Sequence, residues 1–574
     1  MVNEVGGLPT FDVEAINWTI PIAVGFYDGY SYHEFLKEGE DDDIIWRFLC
    51  YLKENYRSSS IYAHCASKFD SKFILASLCK HGEIAGLEAG LLKLKWREPN
   101  ITFEDSYFIL PMSLSKANKL FGVEEKKDWD YSLKLNPWEM KEKLPTFRDY
   151  LKTDCLSLSH SLFKLCELLG YTFGCMPSVT IATTAAKVFD KYYYDLNSID
   201  SNEGFEPYIR KAIYGGRNEV YRRYGENINY YDIKSMYVSC YDVPVPIGKM
   251  RWIKPDIDSG TLAEATVKVP KDFYIGPLPV RLGRIPQTLI FPVGEFTGWY
   301  DVRELKFAAS LGVDVIIRRQ LYCEEEPILR EFGNFVGKLR GTKEDSFWKL
   351  FGLALSGKLG QSRWRDTIKH LTEIKNFEGY SPMDYDETYF TKKEYIKGRA
   401  PYIKPAIAMR IRAEARMRHL KALLDAKSRG NIYYCDTDSI FTNQELETGD
   451  EVGDLKLLDK ADMGYFIRQK LYALVKKGKL RQVSAGYSDL KLSEEDFKHL
   501  LQGGTLEGEV EFLSTYRETL KGKELRLISY PRRLRILDTL NTRRPVGYDT
   551  EPICLPLQEG LEPLLEIHNL YHLE

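Results

Sequence analysis

Hydrophobic and polar residues show two different periodicities along the first part of the chain. Residues 8–30 alternate apolar and polar positions around Gly and Asp turns, which predicts β-strands. Apolar residues recur at helical spacing over residues 43–56 and 69–81, and again over about 146–169. Strands that alternate with helices are typical of a mixed sheet, so we expect an α/β domain that ends near residue 170.

A second region follows Gly174-Cys175-Met176-Pro177 and mixes helices with strands. The pattern predicts helices over 180–195, 328–360 and 405–427, and strands near 228–233, 262–268 and 431–442. Strong helix formers fill the last of these helices, and Gly430 can end it. A stretch rich in Pro and Gly at 270–300 looks like an insertion, and residues 364–400 are polar with no clear period.

Length and charge limit the classes of protein to consider. The 574 residues exceed one ordinary domain and carry a formal net charge of −3. Because nucleic-acid binders are often basic overall, this charge does not favour that class, and any nucleic-acid groove has to be a local basic patch. The chain is basic in places after residue 500.

Cysteine usage and the amino terminus indicate a cytosol-like compartment. Ten cysteines are scattered without a Cys-x-x-Cys pair, which argues against a zinc ribbon or a disulfide framework. The start, Met-Val-Asn-Glu-Val-Gly-Gly, has no basic stretch followed by an apolar one, and no apolar run is long enough for a bilayer. We expect a soluble, untargeted protein that does not bind a membrane.

The strongest candidate for chemistry is a set of three acidic residues. Asp436 and Asp438 lie two residues apart in the strand-like run Tyr434-Cys435-Asp436-Thr437-Asp438-Ser439-Ile440, so an extended chain places both carboxylates on one face. Apolar flanks make full solvation unfavourable, and a divalent cation would relieve the repulsion. An Asx-type hairpin turn is the commoner explanation of an isolated Asp-x-Asp.

A third carboxylate changes this assessment. Asp232 ends the aromatic strand in Tyr230-Tyr231-Asp232-Ile233-Lys234-Ser235-Met236-Tyr237, where alone it would be a helix N-cap. Together with Asp436 and Asp438 it makes three carboxylates available for two metal ions. Two such ions about 4 Å apart can activate a 3′-hydroxyl and stabilise a leaving pyrophosphate.

These segments resemble motifs of family B DNA polymerases. Asp-Ile-Lys-Ser-Met-Tyr resembles motif A, and Tyr-Cys-Asp-Thr-Asp-Ser resembles motif C, which is highly specific. Segment order and modest length resemble the protein-primed branch of small phages and linear plasmids. The resemblance implies that Asp232 and Asp438 bind two Mg²⁺ or Mn²⁺ ions with support from Asp436. It also implies that Ser235, Met236 and Tyr237 contact the nucleotide, Tyr237 excluding a 2′-hydroxyl; Val238 replaces the usual Pro.

The resemblance implies a multidomain α/β and α+β fold. An RNase H-like 3′–5′ exonuclease domain is expected at 1–170, followed by a right-hand polymerase domain at 171–574. The expected parts are a palm at about 190–260 and 405–495, a first insertion at about 261–335, fingers at about 336–364, a second insertion at about 365–400 and a thumb at about 500–574. In the family the first insertion helps to dock a terminal protein, and the second helps to encircle the template.

The nucleotide-binding helix departs from the family pattern. Motif B is Lys-x-x-x-Asn-Ser-x-Tyr-Gly, and here Lys349 and Gly357 fit while Leu353, Ala354 and Ser356 replace the Asn, Ser and Tyr. Positions 349, 353 and 356 share one helical face. Lys349 can still neutralise a triphosphate, although a plain core helix is the competing explanation. Further phosphate-contact candidates, equally explained as a solvated charged face, are Lys338, Arg340 and Lys343.

Two further segments match DNA-contacting motifs by resemblance. Lys470 and Tyr472 match the Lys-x-Tyr motif that holds the primer terminus, and on a strand they would share one side. A partial match to the template-contacting linker Tyr-x-Gly-Gly comprises Tyr214, Gly215, Gly216 and Arg217. The two glycines allow close approach to a phosphate but equally serve a plain turn.

A second acidic site precedes the first. Asp12 and Glu14 share one face of a strand, Asp70 opens a helix, and Tyr150 and Asp154 are i,i+4 neighbours. The four carboxylates could bind two metal ions while Tyr150 orients a hydrolytic water. The segments resemble the three exonuclease motifs of the same family, and 103–111 resembles the segment that positions the single strand. DNA contacts are implied for His64, Cys65 (where the family has Asn) and Ser106.

The expected partners are primer–template DNA, dNTPs and, by the resemblance, a terminal priming protein. We expect a monomer that works in the host cytoplasm, or in a mitochondrion if a eukaryotic linear plasmid encodes it. Two alternatives stay open. The altered motif B is compatible with a pseudo-polymerase that acts as a DNA-binding scaffold, and the first domain with a protein that is mainly a single-strand exonuclease. An RNA polymerase is disfavoured by Tyr237.

Overall fold

A computed structural model describes most of the chain. The described residues are 7–83, 88–89, 93–124, 137–282, 288–370, 374, 378–382, 389–395, 401–484, 491–515, 518–519, 524–535 and 542–556. The elements of the amino-terminal part are β1 Thr10–Ile16, β2 Ile20–Tyr27, β3 Tyr32–Leu36, α1 Ile44–Asn55, β4 Ser60–Ala63, α2 Asp70–Lys80, β5 Glu88–Ala89, β6 Lys93–Trp96, β7 Ile101–Asp105, α3 Leu114–Phe121 and α4 Pro137–Phe173.

The first domain is built on one mixed sheet. Its strand order is β3-β2-β1-β4-β7-β6-β5, with β4 parallel to both β1 and β7. The amphipathic helices α1 and α2 bury Phe48 and Ile74 against Phe11 and Phe26 of the sheet. On the other side, Leu151 of α4 packs on β2. The predicted α/β domain is therefore confirmed, with α1 and α2 close to their expected bounds.

Helix α4 continues past the expected domain boundary. It ends at Phe173, whose ring stacks on Phe351 at 5.7 Å between centroids and meets Trp348 edge-on at 6.0 Å. The helix thus covers the first sheet with its middle and packs into the next region with its end. The apolar spacing over 146–169 marks only its middle part.

The second region contains most of the elements. Its first part consists of α5 Ile181–Tyr192, α6 Glu206–Lys211, β8 Asn218–Val220, β9 Tyr224–Ile233, α7 Met236–Ser239, β10 Val245–Pro246, β11 Arg251–Ile253, β12 Leu262–Val269, β13 Val280–Leu282, β14 Thr288–Ile290, β15 Val293–Asp301, α8 Val302–Ser310, β16 Asp314–Tyr322, β17 Glu325–Glu326, α9 Arg330–Leu339, α10 Asp345–Leu359, β18 Trp364–His370, β19 Ser381–Pro382 and β20 Tyr389–Tyr395. Its second part consists of α11 Pro405–Arg429, β21 Ile432–Asp436, β22 Ser439–Thr442, β23 Leu455–Arg468, β24 Leu471–Lys476, β25 Lys479–Ser484, α12 Glu494–Leu501, β26 Thr505–Leu513, β27 Leu527–Arg535, β28 Arg543–Val546, β29 Asp549–Pro552 and β30 Cys554–Leu555.

A seven-stranded sheet lies at the centre of this region. Its order is β25-β24-β23-β9-β22-β21-β8, so β9 sits between β23 and β22 although those strands come more than two hundred residues later. Leu420 and Leu423 of α11 belong to the buried cluster on one side of the sheet, together with Tyr231 and Cys435. The strands of the sheet also contribute an aromatic cluster of their own, which includes Tyr230, Tyr434, Phe441, Phe466 and Tyr472. Its strands come from both segments that were predicted to form the palm, 190–260 and 405–495.

The helical pattern over 328–360 is two helices rather than one. Helix α9 ends at Leu339 and α10 begins at Asp345, and the turn between them contains Gly341 at φ +87°. Only glycine adopts that backbone conformation without strain, which makes a break at this point favourable. Phe332 of α9 and Phe351 of α10 then bury their rings in one cluster.

The first insertion is a five-stranded sheet that begins earlier than expected. Its order is β11-β16-β12-β15-β30, so it starts at Arg251 and includes a strand from the end of the chain. Helix α11 is joined to it by buried ion pairs, because Arg416 donates to both carboxylate oxygens of Glu304 at 2.7 Å. The polar segment 364–400 also contains strands: β18, β20 and β19 form a small sheet.

The carboxyl-terminal segment is not all thumb. Strands β26 and β27 form a hairpin after α12, and Lys72 of α2 donates to the carbonyl of Leu513 at the end of β26 at 3.1 Å. Residues 542–556 instead return to the central sheet and the insertion. Thr550 Oγ1 donates to the carbonyl of Val220 at 2.7 Å, and β30 pairs with β15. The expected thumb at 500–574 was therefore wrong for this stretch; residues 557–574 lie outside the described residues.

Cysteines and helices agree with two compositional expectations. All ten cysteines, each of them in the described part of the chain, are free thiols. None of the helices in the described ranges combines the length and the apolar composition that crossing a bilayer requires.

Candidate functional site

A tight hairpin carries the Asp-x-Asp motif. Strand β21 ends at Asp436 and β22 begins at Ser439, and Thr437 between the two acids has φ +60°. The N–H of Asp438 donates to the carbonyl of Asp436 at 2.7 Å, and that of Thr437 to the carbonyl of Arg217 at 2.7 Å. The two acids therefore flank a turn, and the expectation that they share one face of an extended strand was wrong.

Sheet register brings Asp232 beside Asp438. Asp232 lies opposite Ser439 in the antiparallel pair of β9 and β22, and the N–H of Ile233 donates to the carbonyl of Asp438 at 2.9 Å. Burial and the charge of Asp232 raise the pKa of Asp438 to about 7, although the charge of Lys349 opposes the rise. Burial also raises the pKa of Asp232. Two acids held this close in a partly buried site favour a bound cation.

Asp436 has a different partner. Its Oδ2 lies 3.0 Å from Nζ of Lys470, which stands in the turn between β23 and β24 with φ +54°. The sequence placed Lys470 and Tyr472 on one side of a strand, and the structure places only Tyr472 in a strand. The geometry assigns Asp436 to an ion pair and leaves Asp232 and Asp438 as the facing pair.

A cavity of about 330 Å³ opens above these acids. It is bordered by Tyr230, Asp232, Ser235, Met236, Tyr237, Val238, Lys349, Leu353, Asp436, Thr437, Asp438, Ser439, Lys470 and Tyr472. Both acidic segments, the turn after β9, helix α10 and the Lys-x-Tyr segment thus meet at one place. Of the border residues, five were not predicted as site residues from the sequence: Tyr230, Val238, Leu353, Thr437 and Ser439. The pairing of β9 with the hairpin brings Tyr230, Thr437 and Ser439 there.

The turn after β9 shapes one wall of the cavity. Ser235 has φ +48°, which directs the chain sharply into α7. Met236 is buried in the core, whereas Tyr237 is only partly buried. Burial raises the pKa of Tyr237, and the charges of Arg412 and Arg416 oppose that rise. A neutral ring on this wall is compatible with packing against a sugar.

Helix α10 contributes fewer residues than expected. Lys349 and Leu353 border the cavity, whereas the side chain of Ser356 is buried and donates to the carbonyl of Leu353 at 2.9 Å. The three positions share a helical face, but only the first two reach the site. The cation that faces the acids is Lys349, and its neighbour one turn on is apolar.

The upstream cations do not join the cavity. Arg340 pairs with Asp345 at 2.8 Å, and neither it nor Lys338 or Lys343 is among the residues that border the cavity. These three residues therefore lie outside the cavity border, and phosphate contact by them stays a prediction. Lys338 and Lys343 are exposed, as on the solvated charged face that was the alternative.

The Tyr214–Arg217 segment faces inward. Tyr214 is buried and stacks on Tyr300 at 5.7 Å, and Arg217 is buried with its guanidinium 2.6 Å from Glu219. These two side chains are not available to a template, so their prediction as DNA contacts was wrong. Gly216 serves the hairpin instead, because a Cβ there would lie 2.7 Å from Cγ2 of Thr437. Gly215, by contrast, has room, with its nearest neighbour Leu289 at 3.8 Å.

The second acidic site lies in the first domain. Asp12 and Glu14 belong to β1 and alternate with buried neighbours, and Asp70 is the first residue of α2. The N–H of Val13 donates to Oδ1 of Asp70 at 2.9 Å, which connects the strand to the helix. Burial raises the pKa of Asp70 to about 7, with further contributions from the charges of Glu14 and Asp105. Asp105 is a buried acid of this site that the sequence did not single out.

Helix α4 supplies the remaining residues of this site. Tyr150 and Asp154 lie one turn apart and are both buried. Burial raises the pKa of the thiol of Cys155, and the charges of Asp12, Asp154, Asp70 and Glu14 add to that rise. All four predicted carboxylates therefore lie within electrostatic range of the same thiol, in one part of the domain.

The residues predicted to capture a single strand have unequal access. Ser106 is fully buried and donates to the carbonyl of Ala63 at 3.1 Å, so its side chain is not a DNA contact, contrary to the prediction. His64 Nδ1 lies 3.0 Å from Ser106 Oγ, and its Nε2 donates to the carbonyl of Met112 at 2.8 Å. Cys65 is partly exposed at φ +60° and stays a prediction.

Protein side chains alone do not complete the coordination of a metal ion at either site, among the residues that the structure describes. Across the ranges described above, no three His, Cys, Asp or Glu side chains are grouped closely enough to hold an ion by themselves. Mg²⁺ is commonly bound by one or two carboxylates together with substrate phosphates and water. The pair Asp232 and Asp438 fits that donor set, because burial raises the pKa of both carboxyls and a bound cation would offset that cost of ionisation.

Comparison with solved structures identifies the fold. The structure is similar to that of Phi29 DNA polymerase complexed with primer-template DNA and incoming nucleotide substrates, with a TM-score of 0.69 at 16% identity over 92% of this chain and 99% of that chain. This likeness confirms the predicted fold, an exonuclease-type domain followed by a right-hand polymerase domain.

Sequence comparison identifies the family. The profile of the family described as "DNA polymerase type B, organellar and viral" matches residues 50–136 and 125–396, and the chain belongs to this family. A probable DNA polymerase of Podospora anserina is 25% identical over 80% of this chain, which spans 46% of that protein. The DNA-directed DNA polymerase of Enterobacteria phage PRD1 is 26% identical over 79% of each chain. The chain thus spans about half the length of the fungal relative.

Proposed function

We propose that this chain is a template-directed DNA polymerase that joins dNTPs to a primer terminus by two-metal phosphoryl transfer. The observation that carries the proposal is the convergence of Asp232 and Asp438, from segments two hundred residues apart, on a cavity of about 330 Å³ that Lys349 also borders. Bound divalent ions would activate the 3′-hydroxyl and neutralise the triphosphate. Asp232 and Asp438 are the residues that would hold them.

The chain's own residues then orient the two substrates. Lys349 offers its ammonium group to the triphosphate from α10. Tyr237 forms the wall on which the sugar of the incoming nucleotide rests. Lys470 and Tyr472 border the opposite part of the cavity, where they would hold the primer terminus, and the pair Lys470–Asp436 sets the position of that lysine. Leu353 gives the base an apolar neighbour instead of a hydrogen-bonding one.

A second activity of the proposal is 3′–5′ exonucleolytic proofreading in the first domain. The charges of Asp12, Glu14, Asp70 and Asp154 all raise the pKa of one buried thiol, and the resemblance to exonuclease motifs supports metal-assisted hydrolysis there. Tyr150, one turn from Asp154, would orient the attacking water.

The partners follow from the same reasoning. The similar structure of Phi29 DNA polymerase is a complex with primer–template DNA and incoming nucleotides, which supports these partners for this chain. Protein priming from a terminal protein, as in the phage and plasmid branch, is part of the proposal, as is a monomeric enzyme in the host cytoplasm or the mitochondrion. Extension assays on primed DNA and on a terminal protein, run side by side, test the priming mode.

Primer extension tests the polymerase itself. With Mg²⁺ and four dNTPs, the wild type should extend a primer and chelation should stop it. Asp438→Ala should lower extension by at least about a hundredfold, because it removes half of the acidic pair. Asp425→Ala is the matched control, since Asp425 is an exposed acid on α11 that pairs with Arg429. Extension by Asp438→Ala at the rate of the control contradicts the proposal.

One observation favours a second candidate, a DNA-binding pseudo-polymerase. Helix α10 presents Leu353 to the cavity where a polar residue would bind substrate. If the wild type binds primer–template but does not extend it with Mg²⁺ or Mn²⁺, the scaffold is the correct assignment. If the wild type does not extend a primer but degrades single-stranded DNA at a rate that dNTPs do not change, it is mainly an exonuclease.

A further inference from the structure

The tip of the first hairpin holds an exposed tryptophan in a strained backbone conformation. Asn17 and Trp18 connect β1 to β2 with φ values of +50° and +64°, and the N–H of Thr19 closes the turn on the carbonyl of Ile16 at 3.3 Å. Such turns favour Asn followed by Gly, because a bulky residue with positive φ is strained. The backbone conformation of the turn therefore does not explain why a tryptophan occupies position 18.

The indole is exposed beside the acidic site of the first domain. The side chain of Trp18 is 59% exposed, and its ring lies edge-on to Phe69 with centroids 5.9 Å apart and an interplanar angle of 85°. Phe69 immediately precedes Asp70, which is bonded to Val13 between the acids Asp12 and Glu14. A large, rigid, solvent-facing aromatic surface thus stands at the rim of this site.

We propose that Trp18 is a substrate-binding residue that stacks on an unpaired base at or next to the 3′ end of the strand being degraded. This proposal rests on the proposed exonuclease function. A base in single-stranded DNA has a free π-face, whereas a base inside a duplex is covered by its neighbours, so an exposed indole selects unpaired ends. Phe69 packs at nearly a right angle to the indole, and the 59% exposure of Trp18 leaves ring surface available to a base.

Charge and geometry favour a nucleic acid over an apolar protein partner. Lys68, which precedes Phe69, places its ammonium group 5.7 Å from the centroid of Tyr107. A cation and a second aromatic ring therefore lie on the segment that also carries Phe69. Basic groups that alternate with aromatic rings are typical of grooves that follow a single strand.

The first test is binding, which does not depend on catalysis. An oligonucleotide with 2-aminopurine as its 3′-terminal base is titrated with protein in EDTA, so that no hydrolysis occurs. The wild type should quench the fluorescence, Trp18→Phe should retain most of the quenching, and Trp18→Ala should lose it with roughly tenfold weaker binding. Ile20→Ala, at a 45% exposed apolar residue of the same hairpin, is the matched control and should behave as the wild type.

The second test is degradation with Mg²⁺ on oligonucleotides that end in a normal or an abasic nucleotide. Trp18→Ala should raise the KM of the normal substrate about tenfold with little change in kcat, and should change the KM of the abasic substrate less than twofold. An equal effect on both substrates, or none on either, overturns stacking by Trp18. Absence of hydrolysis by the wild type overturns the proposed exonuclease, while the quenching still decides whether Trp18 stacks on the base.

Discussion

The two acidic sites are built from similar residues in different ways. In the proposed polymerase site, Asp232 and Asp438 belong to segments that pair directly in one sheet, and both face an open cavity. In the first domain, Asp12 and Glu14 come from a strand while Asp70 and Asp154 come from two helices packed on that sheet. Register alone positions the first pair, whereas the second set depends on how helices dock.

The charges around the two sites differ as well. Lys349 and Lys470 border the polymerase cavity, and the charge of Lys349 opposes the rise in the pKa of Asp438. Around Asp70, which is 2% exposed, the charges that shift its pKa are those of Glu14 and Asp105, and both are negative. A site with its own cations suits an anionic triphosphate, whereas a buried acid whose pKa is raised by further acids depends more strongly on metal ions.

The sharpest way to separate the two sites is to remove the acids of the first one. Asp12→Ala combined with Glu14→Ala should lower degradation of single-stranded DNA by at least a hundredfold and leave primer extension within about twofold, because the strand β1 is remote from the central sheet. Degradation and extension are measured on the same preparation. A parallel loss of both activities in a folded variant would show that the division into two sites is wrong.

The dependence of the polymerase site on register can be tested without touching an acid. Gly216→Ala places a methyl group 2.7 Å from Thr437 and should displace the hairpin that carries Asp438, lowering extension by about tenfold or more. Gly215→Ala is the control, since its nearest neighbour is 3.8 Å away. Degradation should be unchanged in both variants. Equal extension by the two variants would mean that the close approach of Gly216 does not matter.

The role of the Lys470–Asp436 pair is expected to be smaller. Lys470→Gln removes a cation from the cavity but none of the facing acids, so the KM for primer–template should rise several-fold with a modest change in kcat. Lys460→Gln, at an exposed lysine paired with Glu445, is the comparison. A fall in kcat as large as that of Asp438→Ala would assign Lys470 to the chemical step instead.

The smallest effect is expected at Ser356. Its hydroxyl is buried against the carbonyl of Leu353 and does not border the cavity, so Ser356→Ala should change the KM for dNTPs and the extension rate by less than twofold. Leu353→Ala should change the KM for dNTPs more, because Leu353 does border it. The reverse order would show that the helix turns during nucleotide binding.

Much of this protein is determined by its sequence. Apolar periodicity located α1, α2 and α5 near their observed bounds, because an amphipathic helix encodes the face that it buries, and strong helix formers located α11. The Asp-x-Asp motif and Asp232 were found together because repelling acids with apolar flanks are rare without a cation. Local spacing places Asp12 with Glu14, and Tyr150 with Asp154, on shared faces, and their resemblance to ordered exonuclease motifs marked them as a site.

Tertiary structure decided what depends on contacts between distant residues. Only the folded chain shows that β30 pairs with β15, that Arg217 is buried against Glu219, and that Asp436 forms an ion pair with Lys470. Nor does local pattern show that Trp18 reaches Phe69. The physical reason is that periodicity reports which face of an element is buried, whereas the partner on that face is set by strand register and packing across hundreds of residues.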